Sequence, residues 1–276
     1  MNNFIKRTIS GIGFAAIMLA AFLTNKYVYG VVMLLSLVIM MKEFLTMTCG
    51  TNYRYSQALS IISASVLFTL TYLYKAFAFP GRLVILAFVP VFLLMINSLY
   101  LKDKSHFDKF ANLYAALIYI AVPWSLLNFA VFNAVGEFNG ILLLCFFCII
   151  WGTDVGAYLF GITLGQKYGK KLFPSISPKK SWIGFWGGLA TAVGVAIALH
   201  YAGFFCFDLI HCIFMGVLLC VAGVYGDLIE SQWKRHYNVK DSGNIIPGHG
   251  GLLDRFDSAL IAIPIGIIYL VVMNVL

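Results

Sequence analysis

Five acids, four bases and two His crowd residues 227–258, DLIESQWKRHYNVKDSGNIIPGHGGLLDRFDS, in a chain of 276 residues that is 11% charged and 61% hydrophobic. Their spacing sorts them into groups. Asp227, Glu230, Ser231 and Lys234 fall at i, i+3, i+4 and i+7, so on a helix they share one face. An acid inside an apolar helix costs several kcal/mol unless it is paired or bound to a metal. That makes Asp227 a site candidate, with an internal Asp–Lys pair as the structural alternative. Asp254 and Asp257 stand one turn apart at the start of another helix. There they could cap free N–H groups or hold a ligand. Before them runs Pro247-Gly248-His249-Gly250-Gly251, whose glycines permit close backbone approach and allow N–H groups to face phosphate oxygens. His249 either contacts such a phosphate or holds the loop.

A second charged group fills 166–181, with Lys167, Lys170, Lys171, Lys179 and Lys180 interleaved with Ser175, Ser177 and Ser181 ahead of a helix. This is an anion site or a basic loop of topological use only. In the preceding helix Asp154 and Tyr158 share a face, followed by Gly161 and Gly165. Carboxylates with an excess of base and no His/Cys cluster suit Mg²⁺, which takes one or two protein carboxylates and shares its other positions with water and phosphate. The chemistry expected is metal-assisted transfer of a phosphoryl-type group. No GxxxxGK[ST] loop, GxGxxG turn or GxSxG elbow occurs.

These groups must be positioned by membrane helices. A mean hydropathy of +0.90 leaves too little charge for a soluble surface. Apolar runs near the ~20 residues needed to cross hydrocarbon fall at about 8–24, 27–48, 57–79, 82–99, 108–130, 139–165, 182–200, 207–233 and 257–275. The predicted fold is an all-α polytopic integral membrane protein of about nine transmembrane helices with a cytoplasmic N-terminus. In that topology only Lys26, Lys75 and Arg82 among the 19 Lys and Arg face outward, as the positive-inside rule requires. A secretory leader at 1–24 is the weaker reading, since nothing soluble follows it. Residues 1–135 read as scaffold helices. Residues 136–276 read as a catalytic membrane region with cytoplasmic loops at 166–181 and 234–256. The link Lys102–Lys109 reads as an interfacial basic segment. Gly184, Gly187, Gly188 and Gly194 give the seventh helix a small face for close packing. Cys145 and Cys148 have CxxC spacing but sit in an apolar helix, where Cys acts as a small hydrophobe.

At these residues the chain resembles the phosphatidate cytidylyltransferase (CDP-diacylglycerol synthase) family. The resemblance is carried by Ser231, Lys234, Arg235, Lys240, Asp241, Gly243, the 247–251 loop, Asp254, Arg255 and Asp257. Upstream, Asp154, Ala157, Tyr158 and residues 176–182 also match, whereas Ile183 stands where the family has Glu. The resemblance covers the C-terminal half. It implies CMP transfer from CTP (or dCTP) to phosphatidate at a bacterial inner membrane, with Mg²⁺ and room for a second cation. It places Asp227 and Asp254 on the metal, Glu230 and Asp257 in support and Asp154 as a further ligand. Asp227, Lys234, Asp254 and Arg255 would be catalytic. Ser231, Arg235, Lys240, Asp241, His249, Gly250 and Gly251 would bind substrate, and the 166–181 loop with Ser177, Lys179 and Lys180 would hold the lipid phosphate or close the site. Membrane lipids are the surroundings, a homodimer is compatible, and nucleic acid is not a partner. Two other readings compete: a CTP-dependent polyprenol- or phytol-type lipid kinase, and an anion or nucleotide transporter.

Overall fold

Hydrocarbon offers no water to backbone N–H and C=O groups, so each apolar run must close its own hydrogen bonds as a helix. The structure, a computed structural model, describes residues 3–101, 104, 106–133, 135–165 and 169–275, with backbone alone for 3–6. Lys102 and Lys167, two of the expected basic residues, lie outside the described residues. The helices are α1 (Asn3–Leu23), α2 (Lys26–Cys49), α3 (Arg54–Phe77), α4 (Gly81–Leu99), α5 (Phe107–Val131), α6 (Ile141–Gly165), α7 (Trp182–Tyr201), α8 (Leu209–His236) and α9 (Leu253–Val272). Among the described residues eight, α2 to α9, are long and apolar enough to cross a membrane, and α1 adds a shorter apolar stretch over Arg7–Leu23. All nine apolar runs read from the sequence therefore become helices, and the chain is an all-α polytopic membrane protein.

Local chemistry sets the helix boundaries. The Asn25 side chain accepts from the N–H groups of Tyr27 and Val28, 3.0 Å each, and so starts α2. Ser181 starts α7 by accepting from Gly184 N at 3.1 Å. Within α5 a π-turn at Leu117–Ala121 ends two residues before Pro123, whose missing N–H breaks the regular ladder.

The chain divides into two compact units, residues 1–140 with 237–255 and residues 141–236 with 256–276. The segment 237–255, read from the sequence as part of a C-terminal region, thus packs with the first unit. In that unit the Trp124 indole N–H, fully buried, donates to Met33 O at 2.8 Å. In the second unit α7 lies against α6 with almost no side chain between them. A Cβ on Gly156 would strike Thr191, one on Gly184 would lie 3.0 Å from Ala157 O, and one on Gly188 3.0 Å from Thr153 O. The small face expected of α7 is therefore real at 184, 187 and 188 but does not include Gly194, which faces open space.

The 166–181 loop contains the one strand pair among the described residues. Strand β1 (Lys171–Phe173) pairs antiparallel with β2 (Ser177–Ser181), in the register Lys171↔Ser181 and Phe173↔Ser177. Alternation of Lys, Ser and Pro gave no hydrophobic period, so no strand was legible there.

Candidate functional site

In the second unit the Asp227 face forms as the spacing predicts. Lys180 Nζ, on β2, lies 2.7 Å from Asp227 Oδ2, and the pair is half-buried. Ser231 Oγ donates to Asp227 Oδ1 at 3.1 Å. One turn on, Lys234 forms an ion pair with Glu230, a residue with no solvent exposure. Helix α8 holds the hairpin at a second point, where Arg235 Nε donates to Ile176 O at 3.4 Å. The internal Asp–Lys pair is thus present, but it joins Asp227 to the hairpin lysine rather than to Lys234.

Helix α8 approaches α9 at Gly226, where a Cβ would lie 2.5 Å from Asp257 O and 3.0 Å from Ser258 Cα. Only glycine fits, and the close approach sets Asp227 and Asp257 on facing helices. Asp257 accepts from Ser258 N at 2.6 Å. Asp154 lies exposed on α6. Among the described residues no group of three or more His, Cys, Asp or Glu has metal-holding geometry. A pair of carboxylates still fits the donor preference of Mg²⁺, which leaves its other positions to water and phosphate. Ser177 is half-buried and Lys179 exposed on β2.

In the first unit the 240–255 loop is folded tightly on itself. His249 N donates to Ile246 O at 2.9 Å and Ile246 N to Gly250 O at 3.0 Å. Gly248 and Gly250 have φ of +79° and +82°, in the left-handed region. Asp254 ties the loop ends: its carboxylate accepts from Ser242 N (3.0 Å to Oδ2) and Gly251 N (2.8 Å). A Cβ on Gly250 would lie 2.7 Å from Asp254 Oδ2, so this glycine answers both a conformational and a steric need.

The first N–H groups of α9 are not taken by Asp254. Glu43, on α2 and 9% exposed, accepts from Leu252 N at 3.0 Å and Leu253 N at 2.8 Å. A Cβ on Gly243 would strike Glu43 Oε1. The helix-cap reading of the 254/257 acids thus passes, for Asp254, to an acid 211 positions earlier in the chain. Helix α1 reaches the same loop. Ser10 Oγ donates to Pro247 O at 2.8 Å and lies 3.1 Å from His249 Nδ1. The carbonyls of Pro247 and Arg7 compete for the single Ser10 proton, and His249 Nδ1 stands as the third polar neighbour of that hydroxyl. The His249 ring thus meets α1 at Ser10.

A cavity of about 370 Å³ opens on this loop, lined by Arg7, Lys240, Asp241, Asn244, His249, Gly250 and Arg255 among others. Three cations against one carboxylate give it a cationic lining, and the loop residues expected to bind substrate (Lys240, Asp241, His249, Gly250) all reach it. Gly251 is buried behind, against Ser242 and Glu43. Sequence reasoning missed Glu43, Arg7 and Ser10. Glu43 carried a usable signal, an acid near one end of an apolar span. Arg7 counted only as a topological charge, and Ser10 carried no signal.

The profile of the cytidylyltransferase family matches residues 5–273. Over 180 residues, 65% of this chain and 65% of the relative, the sequence is 39% identical to a phosphatidate cytidylyltransferase of Bacillus subtilis (strain 168). It is 42% identical over 160 residues, 57% of this chain and 60% of the relative, to one of Staphylococcus aureus (strain COL). A third, from Rickettsia bellii (strain RML369-C), is 39% identical over 169 residues, 59% of this chain and 70% of the relative. The alignments with the Bacillus and Staphylococcus proteins thus span 65% and 60% of those relatives.

Proposed function

The chain belongs to the cytidylyltransferase family, and from that premise we propose that it transfers the CMP of CTP to phosphatidate, giving CDP-diacylglycerol and pyrophosphate. The observation that carries the reading is the cationic cavity on the 240–255 loop, where Arg7, Lys240 and Arg255 surround the left-handed glycines. A polyphosphate is the ligand such a site suits: guanidinium and ammonium groups meet its charge, and Cβ-free backbone admits its oxygens. A phosphatidate phosphate oxygen attacks the α-phosphorus of CTP. The bond from that phosphorus to the bridging oxygen breaks, and its electron pair leaves on pyrophosphate. The nucleophile is already anionic near neutral pH, so no strong general base is needed.

Lys240 and Arg255 bind the triphosphate and offset charge on the departing pyrophosphate. Lys234 and Arg235 belong to the same phosphate-handling role on α8. Ser177, Lys179 and Lys180 on the hairpin receive the lipid phosphate. Asp227 and Asp257 would hold Mg²⁺, with Ser231 orienting Asp227 and Asp154 as a further contributor. When bound, the ion neutralises phosphate charge and orients the reacting groups. Asp254 and Glu43 keep the loop in shape rather than meeting the ion, since their carboxylates are committed to backbone N–H groups. The site faces the cytoplasm, where CTP is found.

The test is an assay of detergent-solubilised protein with labelled CTP, phosphatidate and Mg²⁺. Pyrophosphate and CDP-diacylglycerol should appear in equal amounts. CDP release with a phosphorylated alcohol would instead mark a lipid kinase, and no turnover without a sealed compartment would mark a transporter. Asp227→Asn should cut Mg²⁺-dependent turnover by on the order of 100-fold. Full Mg²⁺-dependent activity in that variant would remove the metal assignment.

A further inference from the structure

We propose that Arg7, on the first helix, is a further substrate-binding residue whose guanidinium contacts the polyphosphate in the 240–255 cavity. This rests on reading that cavity as the nucleotide site. Arg7 lines it together with Lys240 and Arg255. Its stem runs along the loop backbone: a Cβ on Gly248 would lie 2.6 Å from Arg7 Cγ and 3.3 Å from Nε. Gly248, at φ +79°, is thus bare on the side where Arg7 crosses it.

The contact is built rather than incidental. Arg7, Ser10 and Gly11 are spaced i, i+3 and i+4, one face of α1. Ser10 bonds Pro247 O at 2.8 Å and meets His249 Nδ1 at 3.1 Å. A Cβ on Gly11 would lie 3.5 Å from the His249 ring. Two neighbours on one helix face therefore dock on the loop and hold the third over the cavity. An arginine suits this place because its guanidinium stays charged and grips two phosphate oxygens at once. A residue serving only the positive-inside bias would have no such docking.

The experiment compares wild type with Arg7→Ala and Arg7→Lys as solubilised full-length proteins. It reads KM separately for CTP and phosphatidate, and direct binding of inorganic pyrophosphate by calorimetry. Arg7→Ala should raise KM for CTP about 10- to 100-fold and weaken pyrophosphate binding alike, leaving KM for phosphatidate within about twofold. Arg7→Lys should recover part of both losses and carries the test if the alanine variant does not fold. Unchanged KM for CTP and pyrophosphate affinity, or an equal rise in KM for phosphatidate, would overturn the proposal. If wild type turns over no CTP, the function proposed above fails. Pyrophosphate binding to wild type and its loss in the variants still decide Arg7.

Discussion

At the scale of single residues, the most consequential group is one that does no chemistry. Glu43 accepts from the N–H groups of Leu252 and Leu253 at the start of α9 from another helix, leaving Asp254 to clasp Ser242 and Gly251. A carboxylate on paired N–H groups is worth roughly 1.5–3 kcal/mol per charged hydrogen bond, and orphaned donors cost a comparable amount. Glu43→Gln keeps one acceptor oxygen, so it should lower apparent thermal stability in detergent and activity together. Glu43→Ala should do so more severely, at about 2–4 kcal/mol. Wild-type melting for Glu43→Ala would show that the loop is held by other means. Asp254 and Asp257 could be read from spacing only as caps or ligands. The choice needed a partner distant in sequence, and local pattern carries no trace of it.

At the scale of elements, the β1–β2 hairpin converts a run of lysines into a surface with two distinct parts. Lys180 is drawn inward onto Asp227, whereas Lys170, Lys171 and Lys179 remain exposed. Replacing Lys179 and Lys180 together by Ala should therefore raise KM for phosphatidate on the order of tenfold with little change in KM for CTP. A mixed-micelle assay at varied phosphatidate content measures both. An unchanged KM for phosphatidate would detach the hairpin from the lipid substrate. Lys180→Ala alone should also disturb Asp227, whose charge would lose its half-buried partner. The basic character of this stretch was legible from its composition. Its strand pairing was not, because exposed polar strands lack the alternation that marks a half-buried one.

At the scale of the whole molecule, the distribution of Lys and Arg makes a topological prediction. In a background with the exposed Cys206 replaced by Ser, a cysteine at Arg82 should react with a membrane-impermeant thiol reagent in intact cells. One at Lys240 should react only after permeabilisation. The reverse pattern would invert the topology and place the cavity on the wrong side for CTP.

Apolar run length alone determined the nine apolar helices seen among the described residues, and their approximate ends, because in hydrocarbon a backbone has no other way to satisfy itself. The carboxylates and lysines of the second half were equally visible, since charge is scarce in such a chain and stands out wherever it occurs. Tertiary structure decided which partner several of these groups meet. It turned Glu43 into the cap of α9, joined Asp227 to Lys180, and brought Arg7 and Ser10 against a loop more than 230 positions away. Those assignments depend on which backbone N–H and which helix face come within about 3 Å, a distance that spacing along one helix cannot report.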